Sequence, residues 1–340
     1  MRPIKLVPDS TNIPFLSFRW WAMGSSILLL IASLALVAIN GLNWGVDFSG
    51  GQTVRISFAK PTDVAEIRAR VNALGIEDAA IQQFGSPNDI SIRVPLPNAK
   101  NPLSQCFGSN PLAQGGGSAD DSNKMASKIR AGILEQYPDA KFGSVETVSG
   151  KVSCELFSTG GIALTLAMLG IALFIWFRFE WQFGVGALFT LFHDVVLTFG
   201  FFALTQLEFN LNVVAAILTI IGYSLNDTIV VYDRIRENLR KWRKMEISAL
   251  LDLSVNETLS RTIVTSLSLI LTLAVLLVLG PEVIFGFTAS MLLGIVIGTF
   301  SSIYVSAPIL IWLKVRSDSF VPLAAAGVNE RNAKPEGFVK

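Results

Sequence analysis

Histidine is nearly missing from this chain. One residue, His193, occurs in 340. Cysteine is almost as scarce, with only Cys106 and Cys154. No Cys/His spacing suggests a metal site. Neither a P-loop nor a dinucleotide fingerprint occurs, and no nucleophile–base pair stands out, so an enzyme is disfavoured and no cofactor is expected. Charged residues make up only 16% and the net charge is +1, which gives no reason to expect nucleic acid. The two cysteines sit in unlike contexts on the side where oxidation is possible. Two free thiols are therefore expected rather than a bridge.

What the chain has in excess is apolar residues, at 51%. Runs of about 20 such residues can each cross a bilayer. Six are expected, over 20–39, 159–177, 184–205, 212–232, 262–280 and 284–313. The last is long enough to tilt or break, and Pro308 loosens its end. All seven Trp residues fall at or near span ends, as interfacial aromatics do. Basic residues cluster in 1–19, in the segment between spans four and five (Arg234, Arg236, Arg240, Lys241, Arg243, Lys244) and at Lys314 and Arg316. These regions are expected on the cytoplasmic side, both termini included. The tail 314–340 has no apolar period and is expected to be disordered.

Residues 40–158 form one expected extracytoplasmic domain. In NGLNWGVDFSGG, Gly45, Gly50 and Gly51 indicate positive φ or close backbone approach, and Asp47 is placed to bond that turn's backbone. Strand 52–58, helix 63–74 capped by Thr62, strands 78–84 and 89–95 about an SPND turn, helix 123–136 and strand 141–148 give the order βαββαβ. That is the ferredoxin-like α+β arrangement. Residues 96–122, which include GGGS, read as a flexible insertion. Without histidine this domain cannot use histidine chemistry; binding or force transmission fits it better.

The residues out of place are polar ones inside the spans. Asn226 and Asp227 interrupt span four, with Asp227 roughly 9 Å from its hydrophilic end. A carboxylate there costs about 2.5–3.5 kcal/mol on insertion scales, so it needs a partner or a proton. His193 and Asp194 lie near the middle of span three, as either a proton relay or a helix-locking pair. In span five Thr258, Arg261, Thr262, Thr265, Ser268 and Thr272 form a polar stripe expected to face the bundle. Arg261 is at compatible depth to pair with Asp227, and protonating the acid would break that pair. Ser290, Gly294, Gly298, Ser302 and Ser306 give span six a small face for close packing.

Several blocks carry a family resemblance. GVDFSGG, RFEW followed by HD, GYSLNDTIVVYDRIREN, NETLSRTIVTS and GTFSSIYVSAP resemble the SecF type of the SecD/SecF protein-export family, within the resistance–nodulation–division superfamily. The likeness runs over about 15–315. Span one is longer than a signal-peptide core and lies within that likeness, so it is read as a retained anchor. The resemblance implies a subunit driven by the proton motive force in the bacterial inner membrane. Its implied partners are SecD, the SecYEG channel, YajC-like accessory subunits and the translocating preprotein. It implies proton-pathway roles for Asp227 and Arg261, and less firmly for Asn226, Asp194 and His193. SGKVSCEL before span two and the insertion depart from the family's pattern. A proton-coupled exporter of lipids or small hydrophobic molecules, and a scaffold whose polar residues only join helices, are the competing readings.

Overall fold

The computed structural model describes residues 8, 11–76, 79–84, 86–95, 106, 119–281 and 284–315. Six of its helical segments are long and apolar enough to cross a membrane. We call them α1 (Arg19–Asn40), α5 (Gly150–Arg178), α6 (Trp181–Thr205), α7 (Leu211–Lys241), α8 (Ile247–Leu279) and α9 (Phe285–Tyr304), the last continued by the short α10 (Ser306–Trp312). The break at Val305 precedes Pro308, whose ring would press on the carbonyl of residue 304 in an unbroken helix.

Between α1 and α5 lie α2 (Val46–Ser49), β1 (Gly51–Ser57), α3 (Val64–Ala73), β2 (Ala80–Phe84), β3 (Ser86–Pro95), α4 (Ala119–Leu134) and β4 (Lys141–Val148). The sheet is antiparallel in the order β2-β3-β1-β4, which is the expected α+β fold. Alternation builds its core. Val54 and Ile56 on β1, and Ile90 and Ile92 on β3, pack under Ile67 and Val71 of α3 and Ile129 and Ile133 of α4.

Some local expectations give way. Asp63, not Thr62, caps α3, accepting from the Ala65 N–H at 2.9 Å, while the Thr62 hydroxyl donates to the Lys60 carbonyl. The SPND residues are not a free turn: β3 begins at Ser86, and the register shifts between Gln83 and Phe84. Most of the insertion 96–122, and the tail beyond residue 315, lie outside the described residues.

The cysteine expectation is overturned. Cys106 and Cys154 form a disulfide, with Cα atoms 5.3 Å apart. Local context misleads because the two cysteines are 48 positions apart, and the chain traverses α4 and β4 before α5 brings Cys154 back to Cys106. The bridge ties the insertion to the first turns of α5. Closing a loop of that length contributes about 4 kcal/mol in the chain-entropy picture. Cys154→Ser is expected to lower the thermal unfolding midpoint of the purified protein, and reductant should lower the wild type to the same value and leave the variant unchanged.

Candidate functional site

Two carboxylates sit inside the helical bundle. Asp227 of α7 is 5% exposed and Asp194 of α6 is 1% exposed. Asp227 Oδ1 accepts from the Thr262 hydroxyl of α8 at 2.7 Å, and its Oδ2 accepts from Ser302 of α9 at 2.6 Å. Asp194 Oδ2 accepts from Ser224 of α7 at 2.5 Å and from Ser301 of α9 at 2.9 Å. Its Oδ1 lies 3.0 Å from His193 Nδ1. The two cages are joined twice. Ser224 and Asp227 lie one turn apart on one face of α7, and Ser301 and Ser302 are neighbours on α9. Four helices therefore meet through two acids lying about a turn apart in depth, closer than counting residues along each span suggests.

Close helix approach makes this possible. A Cβ on Gly294 would come within 2.5 Å of Ile220, and one on Gly298 within 3.2 Å of Ser224 Cβ. The small face of α9 thus packs directly on α7 and delivers Ser301 and Ser302 to the acids.

Among the described residues, no Lys or Arg pairs with either carboxylate. The expected Asp227–Arg261 ion pair is not formed. Thr262 points inward to Asp227, and its neighbour Arg261 emerges roughly 100° further round α8, exposed. Arg261 lines a cleft of about 360 Å³ with Val230, Asp233, Arg234, Glu237, Glu257 and Thr258. Val230 is one turn from Asp227 on α7, so the cleft approaches the acid without joining it. The span-five stripe also divides: Thr258 and Thr262 are buried, whereas Arg261, Thr265, Ser268 and Thr272 are exposed. Asn226 is exposed on α7 and joins neither cage. His193 is 1% exposed and its Nε2 has no hydrogen-bond partner, as is true of the buried Thr228 hydroxyl beside Asp227. Sequence reasoning missed Ser224 and Ser301, and it read Ser302 as packing. The signal available was hydroxyl residues spaced to share a face with the acids.

At the domain end of the bundle the glycine motif makes a junction. Gly50 and Gly51 have φ of +67° and +116°. A Cβ on Gly45 would lie 3.1 Å from Asn210 Cβ and 3.2 Å from the Phe209 carbonyl oxygen, so glycine suits the close approach there. Asp47 does not bond its own turn. It accepts from the Leu211 N–H at 2.9 Å and caps α7. Arg93 of β3 donates to the Trp44 carbonyl at 2.5 Å and to Asn43 Oδ1, and lies 3.9 Å from Glu208. The sheet is thus tied to the loop that starts α7.

The family model described as "Protein export membrane protein SecD/SecF, C-terminal" matches residues 129–316, which hold every residue of both cages. The chain belongs to the SecD/SecF family. A second model of that family, the SecD/SecF GG motif, matches residues 35–62 and so covers the glycine junction. Protein translocase subunit SecF of Rickettsia rickettsii is 39% identical over 309 residues, covering 91% of this chain and 94% of that protein. The Rickettsia bellii subunit of that name is 38% identical with 91% and 95% covered. The crystal structure of SecDF from Thermus thermophilus, a translocon-associated membrane protein, matches with a TM-score of 0.78 and 29% identity over 92% of this chain. SecDF in a super-membrane-facing form matches with a TM-score of 0.59 and 28% identity. This chain spans about two fifths of those solved chains, at 40% and 42%.

Burial of Glu208 raises its pKa, opposed by Arg93 and reinforced by Asp47. A raised carboxyl pKa means the folded junction holds the proton more tightly than the unfolded chain does. Its stabilising share is present below the ordinary glutamate range and is lost as pH rises through the raised value. Hydrogen-exchange protection of the loop at 206–210, corrected for intrinsic rate, should fall across that window, and Glu208→Gln should flatten the profile.

Proposed function

We propose that this chain is a membrane subunit that couples proton movement to protein export. It acts with a SecD-type partner to promote preprotein translocation across the bacterial inner membrane. Support comes from membership of the SecD/SecF family, from relatives named protein translocase subunits, and from likeness to SecDF structures. The solved chains being more than twice as long supports a partner that supplies the rest. The SecYEG channel and YajC-like proteins are the further contacts this reading carries. The basic end of α7 and both termini then lie in the cytoplasm, and the α+β domain outside it.

The observation that carries the reading is Asp227, an acid caged by hydroxyls with no cation beside it among the described residues. An ionised Asp227 accepts from Thr262 and Ser302 together. A protonated one must donate through one oxygen, so a hydroxyl of α8 or α9 has to turn. In this reading that exchange of donor for acceptor is the local change one proton makes in the contacts among α7, α8 and α9. Asp194 and His193 lie within a turn, and the open Nε2 of His193 can pass a proton onward. In this reading Arg261, which lines the cleft near Asp227, pairs with the ionised acid only in a second packing of α8. Asn226 faces outward, where it can meet the partner.

One proton crossing 100 mV supplies about 2.3 kcal/mol, so a sizeable domain movement needs several. Asp227→Asn keeps the size of the side chain and, with one acceptor and one donor group, mimics the protonated acid, but it cannot titrate. In vesicles carrying the channel and the SecD partner, the variant is expected to assemble normally and lose the increment in preprotein translocation that an imposed proton gradient gives. Normal assembly with the increment intact would sink the proposal. Ser302→Ala, which deletes one donor, should cost about 1–3 kcal/mol of bundle stability, measured by thermal unfolding, if Asp227 is ionised in this packing.

A further inference from the structure

A second polar site lies at the other end of α7. A cleft of about 590 Å³ is lined by Arg178 at the end of α5 and by Asp233, Arg236, Glu237, Arg240 and Lys241 of α7. Four cations against two carboxylates leave the lining two charges positive. The carboxylates are already engaged. Asp233 lies 3.3 Å from Arg178, and Glu237 pairs at 2.6 Å with Arg234, which does not line the cleft. Glu180, beside the cleft, holds Arg236 at 3.0 Å. Among the described residues neither Arg240 nor Lys241 forms an ion pair or hydrogen bond; Lys241 packs on the ring of Trp242, 5.2 Å away, with Glu257 in electrostatic range.

Two further features make this more than a scatter of basic residues. The guanidinium groups of Arg178 and Arg236 both stack on Phe179, at 5.0 and 5.4 Å from its centroid, which holds two like charges side by side. Arg236 Nε is buried there without a hydrogen-bond partner. The cleft also sits at a defined depth. Trp176, Phe177 and Trp181 are exposed at the α5–α6 turn and Trp242 at the end of α7, the ring of aromatics expected at a membrane–water boundary. A basic pocket between spans at that level suits the headgroup phosphate of an anionic lipid.

We infer that this cleft binds the phosphate of an anionic phospholipid headgroup, with Arg240 and Lys241 supplying the free charge and Arg178 the rim. The lipid is chosen over free phosphate because the surrounding aromatics place the site where headgroups lie.

The test uses the full chain in detergent, given equal phosphatidylglycerol and phosphatidylcholine, with bound lipid read by native mass spectrometry. Wild type is expected to retain phosphatidylglycerol preferentially. Arg240→Gln with Lys241→Gln should lose about thirtyfold in its apparent affinity, from about 1 kcal/mol per basic residue at a membrane surface. A charge-matched control, Arg243→Gln with Lys244→Gln outside the cleft, should retain it. Lys241→Gln alone, expected to lose about fivefold, serves if the double variant does not fold. Equal retention of both lipids, or equal loss in cleft and control variants, overturns the site. Displacement of the lipid by inorganic phosphate alone would make the cleft a free-phosphate site and overturn the lipid assignment.

Discussion

The bundle is organised about two buried carboxylates that, among the described residues, have no Lys or Arg beside them. An acid in an apolar interior must find donors or take up a proton. Here the donors are hydroxyls of Ser224, Thr262, Ser301 and Ser302, drawn from three helices. Such short side chains reach only if the helices nearly touch. Gly294 and Gly298 meet that demand by letting α9 lie against Ile220 and Ser224 of α7. Packing and polar chemistry are therefore one arrangement: a side chain larger than glycine on that face would push away the serines that hold the acids.

The same helix carries the consequence outward in both directions. α7 begins under the Asp47 cap, beside the loop that Arg93 ties to the sheet. It passes Ser224 and Asp227 in its middle and ends in the basic cleft at Arg240 and Lys241. One helix thus links the acids to the α+β domain and to the opposite membrane boundary. The disulfide adds a second link, fixing Cys106 of the insertion to α5. The domain is therefore held to the bundle through Arg93 and through Cys154 as well as by its chain connections.

How much of this could be read in the chain depended on contrast. Asp227, Asp194 and His193 stand out because charge is expensive in an apolar run. The βαββαβ domain was legible because its strands alternate and its helices keep one apolar face. Serines in α9 gave no such contrast, since small residues there serve packing equally well, and nothing local tells Ser301 from Ser290. The disulfide was hidden because a covalent contact across 48 residues is a property of the fold, not of either cysteine's neighbours.

The Arg261 expectation failed for a more instructive reason. A polar stripe on a membrane helix was assumed to face the bundle, because lipid offers polar groups nothing. That assumption treats the chain as the whole membrane body. In the structure Thr262 takes the inward place, while Arg261, Thr265, Ser268 and Thr272 face out, and Asn226 does so on α7. Arg261, inside α8 but at the edge of its apolar stretch, can reach headgroups by extending its long side chain. Asn226 lies at a similar depth, because Thr262 beside Arg261 bonds Asp227 beside Asn226, but its short side chain has no such reach. Its amide in hydrocarbon costs free energy that only another protein surface can offset. The proposed SecD-type partner meets this requirement, and it makes the outward stripe the same inference as the inward one with the bundle's boundary drawn around two chains.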